Sequence, residues 1–216
     1  MTPGGSGLRV AVLASGAGTN LQALLDEVHG RDGVEVVAVA SDRVDAPALD
    51  RARKAGVAAR TFRRAEYGGE RRARDRAIAD WLVEREVALV VLAGYMQLLD
   101  GGFLARFPDA VINVHPALLP AFPGVAAVEQ ALAYGVKVFG VTVHFVDEGL
   151  DSGPVILQRA IELPGARTLD DVMPRLHEIE HELLPRAVRL IARGEVQILA
   201  DRRRVAVGPL AVAGDR

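Results

Sequence analysis

The sequence predicts an α/β fold: a Rossmann-like, mostly parallel sheet with helices on both faces and an antiparallel C-terminal extension. Three observations lead there. Short apolar runs alternate with helical patterns through the first half of the chain, as strands buried on both faces require. The first run ends in a glycine-rich loop that opens a helix. After Gln130 the pattern changes to two longer extended runs joined by a polar loop.

Each element follows in order. Leu8 to Ala14 is a nearly continuous apolar run that ends at Ser15-Gly16-Ala17-Gly18, and Leu21, Leu24, Leu25 and Val28 then recur at helical spacing. Val34 to Ala40 is a second buried strand, and Pro47 suits the first turn of a helix that stops before Gly56. A shorter strand spans Ala58 to Phe62. Ala73 to Arg85 reads as a helix with Ile78, Trp81 and Leu82 on one face, and it leads into the apolar strand Ala88 to Leu92. Val111 to Val114 is another such strand. Val138 to Phe145 and Val155 to Leu163 form the antiparallel addition, Leu169 to Ala192 a long helix, and Val196 to Ala200 with Arg204 to Val207 a closing hairpin. Residues 1–7 are expected to be a flexible start and 8–216 a single domain.

Composition narrows the chemistry. The 216 residues are 50% hydrophobic and 25% charged, with a net charge of −2, so nothing draws the chain to nucleic acid or an anionic membrane. Without cysteine there is no disulfide, thiolate nucleophile or thiolate-bound metal from this chain, which fits a cytoplasmic setting. No apolar run approaches the ~20 residues needed to cross a bilayer. Proton chemistry near neutral pH falls on five histidines and the carboxylates.

Five segments carry candidate chemistry. The loop Ser15 to Asn20 could cradle a phosphate with backbone N–H groups at a helix start, or could be only a tight structural turn. It lacks the third glycine of a dinucleotide fingerprint and the lysine of a P-loop. In the tract Ile112 to Pro120, alternation puts Asn113 and His115 on one strand face, where both can point at one reacting centre. The loop Asp147 to Pro154 carries three carboxylates; Asp151, brought near His115, would favour its imidazolium form, but a solvated turn satisfies the same pattern. His177-Glu178-Ile179-Glu180-His181 matches the zinc motif H-E-x-x-H, yet no third ligand follows, so a polar helix face or a substrate edge explains it better. The basic run Arg71, Arg72, Arg74 and Arg76 is balanced by Glu66, Glu70, Asp75 and Asp80 and reads as a solvated helix face, from which one arginine could clamp a carboxylate ligand.

Four motifs in order, Leu13 to Leu24, Leu92 to Met96, Ile112 to Pro116 and Gly140 to Pro154, make nearly the whole chain after Gly7 resemble the folate-dependent phosphoribosylglycinamide formyltransferases. The resemblance implies transfer of a formyl group from the co-substrate 10-formyltetrahydrofolate to a glycinamide ribonucleotide, with no metal. By motif, Gly18, Thr19 and Asn20 would bind the ribonucleotide phosphate and Glu180 the ribose hydroxyls. Met96, Gln97, Leu98, Leu99 and the loop from Val146 to Asp151 would line the folate pocket together with Asn113, and Arg71 would face the folate's glutamate end. Asn113, His115 and Asp151 would be the catalytic group. His144 is then expected to be structural and His29 to lie at the surface. Partners would be small-molecule substrates, with neither nucleic acid nor membrane, and the chain a monomer or homodimer. Three positions depart from the pattern: Ala117 in place of a serine, Gln97 in place of a frequent arginine and Ala126 in place of a common histidine. Deformylases and methionyl-tRNA formyltransferases share the core but usually carry a further domain.

Overall fold

The computed structural model describes residues 7–208, so the flexible start expected at residues 1–7 lies, apart from Gly7, outside the described residues, as does the segment 209–216. Strands β1 (Leu8–Leu13), β2 (Val34–Ser41), β3 (Ala58–Thr61), β4 (Leu89–Leu92), β5 (Val111–His115), β6 (Val138–Phe145) and β7 (Val155–Glu162) form one sheet in the order β3-β2-β1-β4-β5-β6-β7. The first five pair in parallel; β6 runs antiparallel to β5, and β7 to β6. A hairpin of β8 (Val196–Ile198) and β9 (Val205–Val207) stands apart. The expected parallel sheet with an antiparallel extension is thus present, with strand ends moved by one or two residues at several places.

Six helices connect the strands: α1 (Thr19–Glu27), α2 (Pro47–Lys54), α3 (Arg71–Val83), α4 (Gly101–Arg106), α5 (Ala127–Tyr134) and α6 (Leu169–Ala192), besides a 3-10 turn at Arg64–Tyr67. Alternation divides the strands between two cores. Val10, Val12, Leu89, Val91, Ile112 and Val114 point to the face covered by α1, α2, α5 and α6. Ala11, Leu13, Val90, Leu92 and Val111 point to the other, covered by α3 and α4 through Ile78, Trp81, Leu82 and Phe103. Side chains at odd positions of β5 therefore face the second core. Asn113 and His115 continue that row past its upper edge.

The chain runs from β1 outward to β2 and β3, then returns to place β4 on the other flank of β1. Such a reversal opens a crevice at the carboxyl ends of the two central strands, where ligands of open α/β sheets bind. Leu13 pairs with Leu92, and Leu92 with Asn113, so the loops after β1, β4 and β5 emerge side by side. Helix α6 has a capping box: the Thr168 hydroxyl accepts from the Asp171 N–H while the Asp171 carboxylate accepts from the Thr168 N–H. No helix among the described residues is long and apolar enough to cross a membrane.

Candidate active site

The loop between β1 and α1 is shaped for exposed amides. Gly18 caps α1 with φ 71°, and a Cβ there would sit 2.7 Å from Cα and Cβ of Ala48, so only glycine fits. The first backward bond of α1 runs from Gln22 N–H to the Gly18 carbonyl, which leaves the amides of Thr19, Asn20 and Leu21 as the free donors of the helix start. Asn20 is buried; its Nδ2 donates to Glu180 Oε2 at 2.7 Å, while its Oδ1 has no partner among the described residues. Arg51, which no sequence motif marks, donates from Nε to the Ala17 carbonyl and from Nη1 to Gln22 Oε1 and adds a cation beside the loop. Together with Thr19, Gln22 and His181 it lines a shallow cavity of about 370 Å³ that does not reach the residues at the end of β5.

Glu180 is 6% exposed, and burial pushes its carboxyl above the ordinary range against the opposing pull of Asn20 and then His177. The H-E-x-x-H pair does not assemble a metal cage: the His177 and His181 rings stack at 6.1 Å, and no group of three or more His, Cys, Asp or Glu converges for a metal among the described residues. Burial pushes the His181 imidazole below its usual value, helped by His177. What this face of α6 does present to the β1–α1 loop is one buried carboxylate.

At the end of β5 the three predicted catalytic residues meet. Asp151 Oδ2 lies 3.4 Å from His115 Nδ1, and its Oδ1 accepts from Asn113 Nδ2 at 3.4 Å. Sequence spacing alone leaves that contact open, because Asp151 arrives from the loop between β6 and β7. The loop is held by its own bonds: Asp147 Oδ1 accepts from the Gly149 N–H and the Ser152 hydroxyl, and the Gly124 N–H donates to Asp151 Oδ2 at 2.7 Å. A Cβ at Gly153 would fall 1.9 Å from the Phe145 carbonyl oxygen, so the tight return of the loop requires glycine there. Asp151 itself sits at φ 50°, a left-handed conformation that aspartate tolerates better than most side chains.

His144, expected to be structural, joins this cluster. It stands directly opposite Asn113 across the antiparallel β5–β6 pair, with Nε2 3.3 Å from Asn113 Nδ2 and 3.6 Å from Asp151 Oδ1. Its Nδ1 faces the Phe145 carbonyl at 2.8 Å. The Asp151 carboxyl is held at about 2, chiefly by the His144 ring, with the Gly124 N–H and the charge of His115 adding to the effect and burial opposing it. His115 is 4% exposed and has both ring nitrogens engaged, Nδ1 toward Asp151 and Nε2 toward the Phe122 carbonyl at 2.8 Å. The loop after His115 is fixed from below: the Thr142 hydroxyl donates to the Ala117 carbonyl and accepts from the Leu119 N–H, and Gln158 Nε2 reaches the Leu119 carbonyl. The Leu119–Pro120 peptide is cis.

The segment after β4 forms the facing wall. The Met96 N–H donates to Ser15 Oγ at 2.9 Å, which joins this segment to the β1–α1 loop. Of the four residues expected to line a folate pocket there, Met96 and Leu98 are exposed, Leu99 packs against the second core with Val146, and the Gln97 side chain turns toward Arg74. Arg71 is exposed at the start of α3, as a solvated face requires. Arg74 is not: it is 1% exposed and paired with Asp75. Charge patterning alone could not separate it from its neighbours, because a buried arginine is recognised only by the partners that surround it. His29 is half-buried rather than on the surface, with Nδ1 accepting from the Val36 N–H.

The fold and the site together define an α/β enzyme whose imidazole, carboxylate and amide converge at the sheet's carboxyl edge, beside a loop of free amides. Residues 8–188 match the formyl transferase family, and the chain belongs to it. It is 41% identical over 204 residues to a phosphoribosylglycinamide formyltransferase of Mycobacterium tuberculosis, covering 93% of this chain and 94% of that protein. A crystal structure of glycinamide ribonucleotide transformylase 1 from Symbiobacterium toebii superposes with a TM-score of 0.90 at 48% identity, covering 96% of this chain and 97% of the other. The trifunctional purine biosynthetic protein adenosine-3 of Bos taurus is 41% identical over 191 residues, which are 88% of this chain; the chain spans only 19% of that protein's length.

Proposed function

We propose that the chain transfers the formyl group of 10-formyltetrahydrofolate to the amine of 5′-phosphoribosylglycinamide, a step of purine biosynthesis that gives the N-formyl ribonucleotide and tetrahydrofolate. The observation that carries this reading is Asp151: it lies 3.4 Å from both His115 and Asn113 although it comes from a different loop. The names of the near-full-length relatives supply the acceptor, and the resemblance of the motifs supplies the folate donor. Gly18, Thr19 and Asn20 hold the phosphate with amides of the helix start, and Glu180 accepts hydrogen bonds from the ribose hydroxyls.

The acceptor's amine attacks the formyl carbon, and the carbonyl oxygen becomes an oxyanion. Asn113 Nδ2 and the His115 ring donate to it, and the Asp151 carboxylate orients that ring. Collapse breaks the bond to the folate nitrogen, which receives the proton released from the amine through His115, directly or by way of water. At 3.3–3.4 Å the bonds of Asn113 within the cluster are long, so exchanging them for a stronger bond to an oxyanion takes little free energy. His115 Nε2 is held by the Phe122 carbonyl and Nδ1 faces Asp151, so delivery by either route takes a small turn of the ring that frees one nitrogen.

An assay with 10-formyltetrahydrofolate and three acceptors tests this directly: glycinamide ribonucleotide should be formylated, and initiator methionyl-tRNA and water should not. Release of formate with water alone would replace the reading by a deformylase. Adding a metal chelator should leave the rate unchanged; loss of activity restored by zinc would return the two α6 histidines to a catalytic role.

A further inference from the structure

The Arg74–Asp75 pair in the first turns of α3 is an unusual burial. Both side chains are sealed from solvent, at 1% and 0% exposure, although removing two charges from water seldom repays itself in stability. Its remaining bonds all go to one place. Arg74 Nε and Nη2 both donate to Asp75 Oδ1, at 2.8 and 2.6 Å, which leaves Nη1 to donate to Gln97 Oε1 at 3.1 Å and Nη2 to reach the Leu98 carbonyl at 3.3 Å. Asp75 Oδ2, free of the arginine, accepts from the Asp100 N–H at 2.9 Å. Three bonds thus fasten an irregular stretch of five residues whose own outward side chains, Met96 and Leu98, remain 67% and 61% exposed. Apolar side chains left in solvent on a backbone tied this firmly make a preformed ledge, and ligand sites are built from such rigid apolar surfaces.

We infer that Arg74 is a positioning residue for the formyl donor: its buried pair with Asp75 fixes residues 96–100 as the ledge on which the donor's pterin ring system rests, without touching the donor. This rests on the formyl-transfer reading proposed above and on the folate-pocket wall that the resemblance implies at Met96 to Leu99. The planar guanidinium suits the task because one rigid fork meets a carboxylate, an amide oxygen and a backbone carbonyl at once, which a lysine ammonium on a flexible stem does not.

Two variants test it. In Arg74→Met/Asp75→Leu the charges leave together and apolar volume takes their place, so the protein should fold. Hydrogen exchange of the amides of residues 96–100 should rise at least about tenfold, and KM for 10-formyltetrahydrofolate should rise at least about tenfold while KM for glycinamide ribonucleotide stays within about twofold. Arg74→Lys keeps the charge beside Asp75 and loses the fork, so its donor KM should rise at least about threefold with the acceptor KM unchanged, and this variant decides the matter if the double variant does not fold. Unchanged exchange at residues 96–100, or donor and acceptor KM rising together, would overturn the inference. A wild-type protein that transfers no formyl group would instead overturn the functional reading, and the exchange measurement would still decide whether the pair fixes the ledge.

Discussion

Replacing Asp151 by asparagine removes one charge and keeps the shape of the side chain. In the folded protein the carboxyl sits at about 2 against an ordinary 3.8, because the His144 ring, the Gly124 N–H and His115 all favour its ionised form. At about 1.4 kcal/mol per pH unit, that difference contributes about 2 kcal/mol of stability. A depressed carboxyl contributes fully above its unfolded value and loses the contribution as pH falls toward its folded value. The gap between wild type and Asp151→Asn should therefore be near 2 kcal/mol at pH 5, where free imidazole is charged, should narrow through pH 3 and should vanish only below about pH 2. In a chain of this size it corresponds to a Tm difference of about 4–8 °C at pH 5, readable by calorimetry or urea unfolding. Turnover should fall at least about 100-fold while ribonucleotide affinity stays within about threefold, since the charge acts on His115 and not on the phosphate loop. Equal stabilities at pH 5, or a gap as wide at pH 3 as at pH 5, would refute the electrostatic account; a near-normal turnover would refute the catalytic one.

Two further substitutions probe the other half of the site. Gly18→Ala adds a Cβ 2.7 Å from Ala48 in a left-handed conformation, so overpacking and backbone strain together should cost about 2–5 kcal/mol, and a melting temperature within about 1 °C of wild type would contradict the packing. Glu180→Gln keeps an acceptor for Asn20 Nδ2 and removes a carboxylate whose ionised form is penalised by burial, so thermal stability at pH 7 should hold or rise. Titration calorimetry should nevertheless record ribonucleotide affinity at least about tenfold weaker; unaltered affinity would remove Glu180 from the site.

The parts of this protein that periodicity governs were legible in its residues. Leu8–Leu13, Val34–Ser41, Leu89–Leu92 and Val111–His115 read as buried strands because each is an apolar run of strand length, and the order of strands and helices is enough to imply a parallel sheet. Helix α4 escaped notice because it opens on Gly101-Gly102, poor helix formers, and owes its start to the Asp100 side chain accepting from the Phe103 N–H. Helix α5 carries no capping signal, and the residue before it, Ala126, adopts φ 57°. In the site, Asn113 and His115 were visible as alternating polar side chains on one strand. His144 was not, since its place depends on the register between β5 and β6, although Thr142 and His144 alternate as polar residues within an apolar run and could have drawn attention to that face. Arg74 looked the same as Arg71, Arg72 and Arg76 because burial of a charge is decided by tertiary partners, and Gln97, Leu98 and Asp100 lie more than twenty residues away in sequence.

The bond between Asn20 and Glu180 joins residues 160 positions apart. During synthesis the glycine-rich loop is among the first segments made, yet its partner on α6 comes near the end, after every strand of the main sheet. A ligand that requires both can be held only once α6 has been completed and has docked across α1. Unfinished or truncated chains would then be blind to it, and capture of the ligand would report that the whole domain has closed.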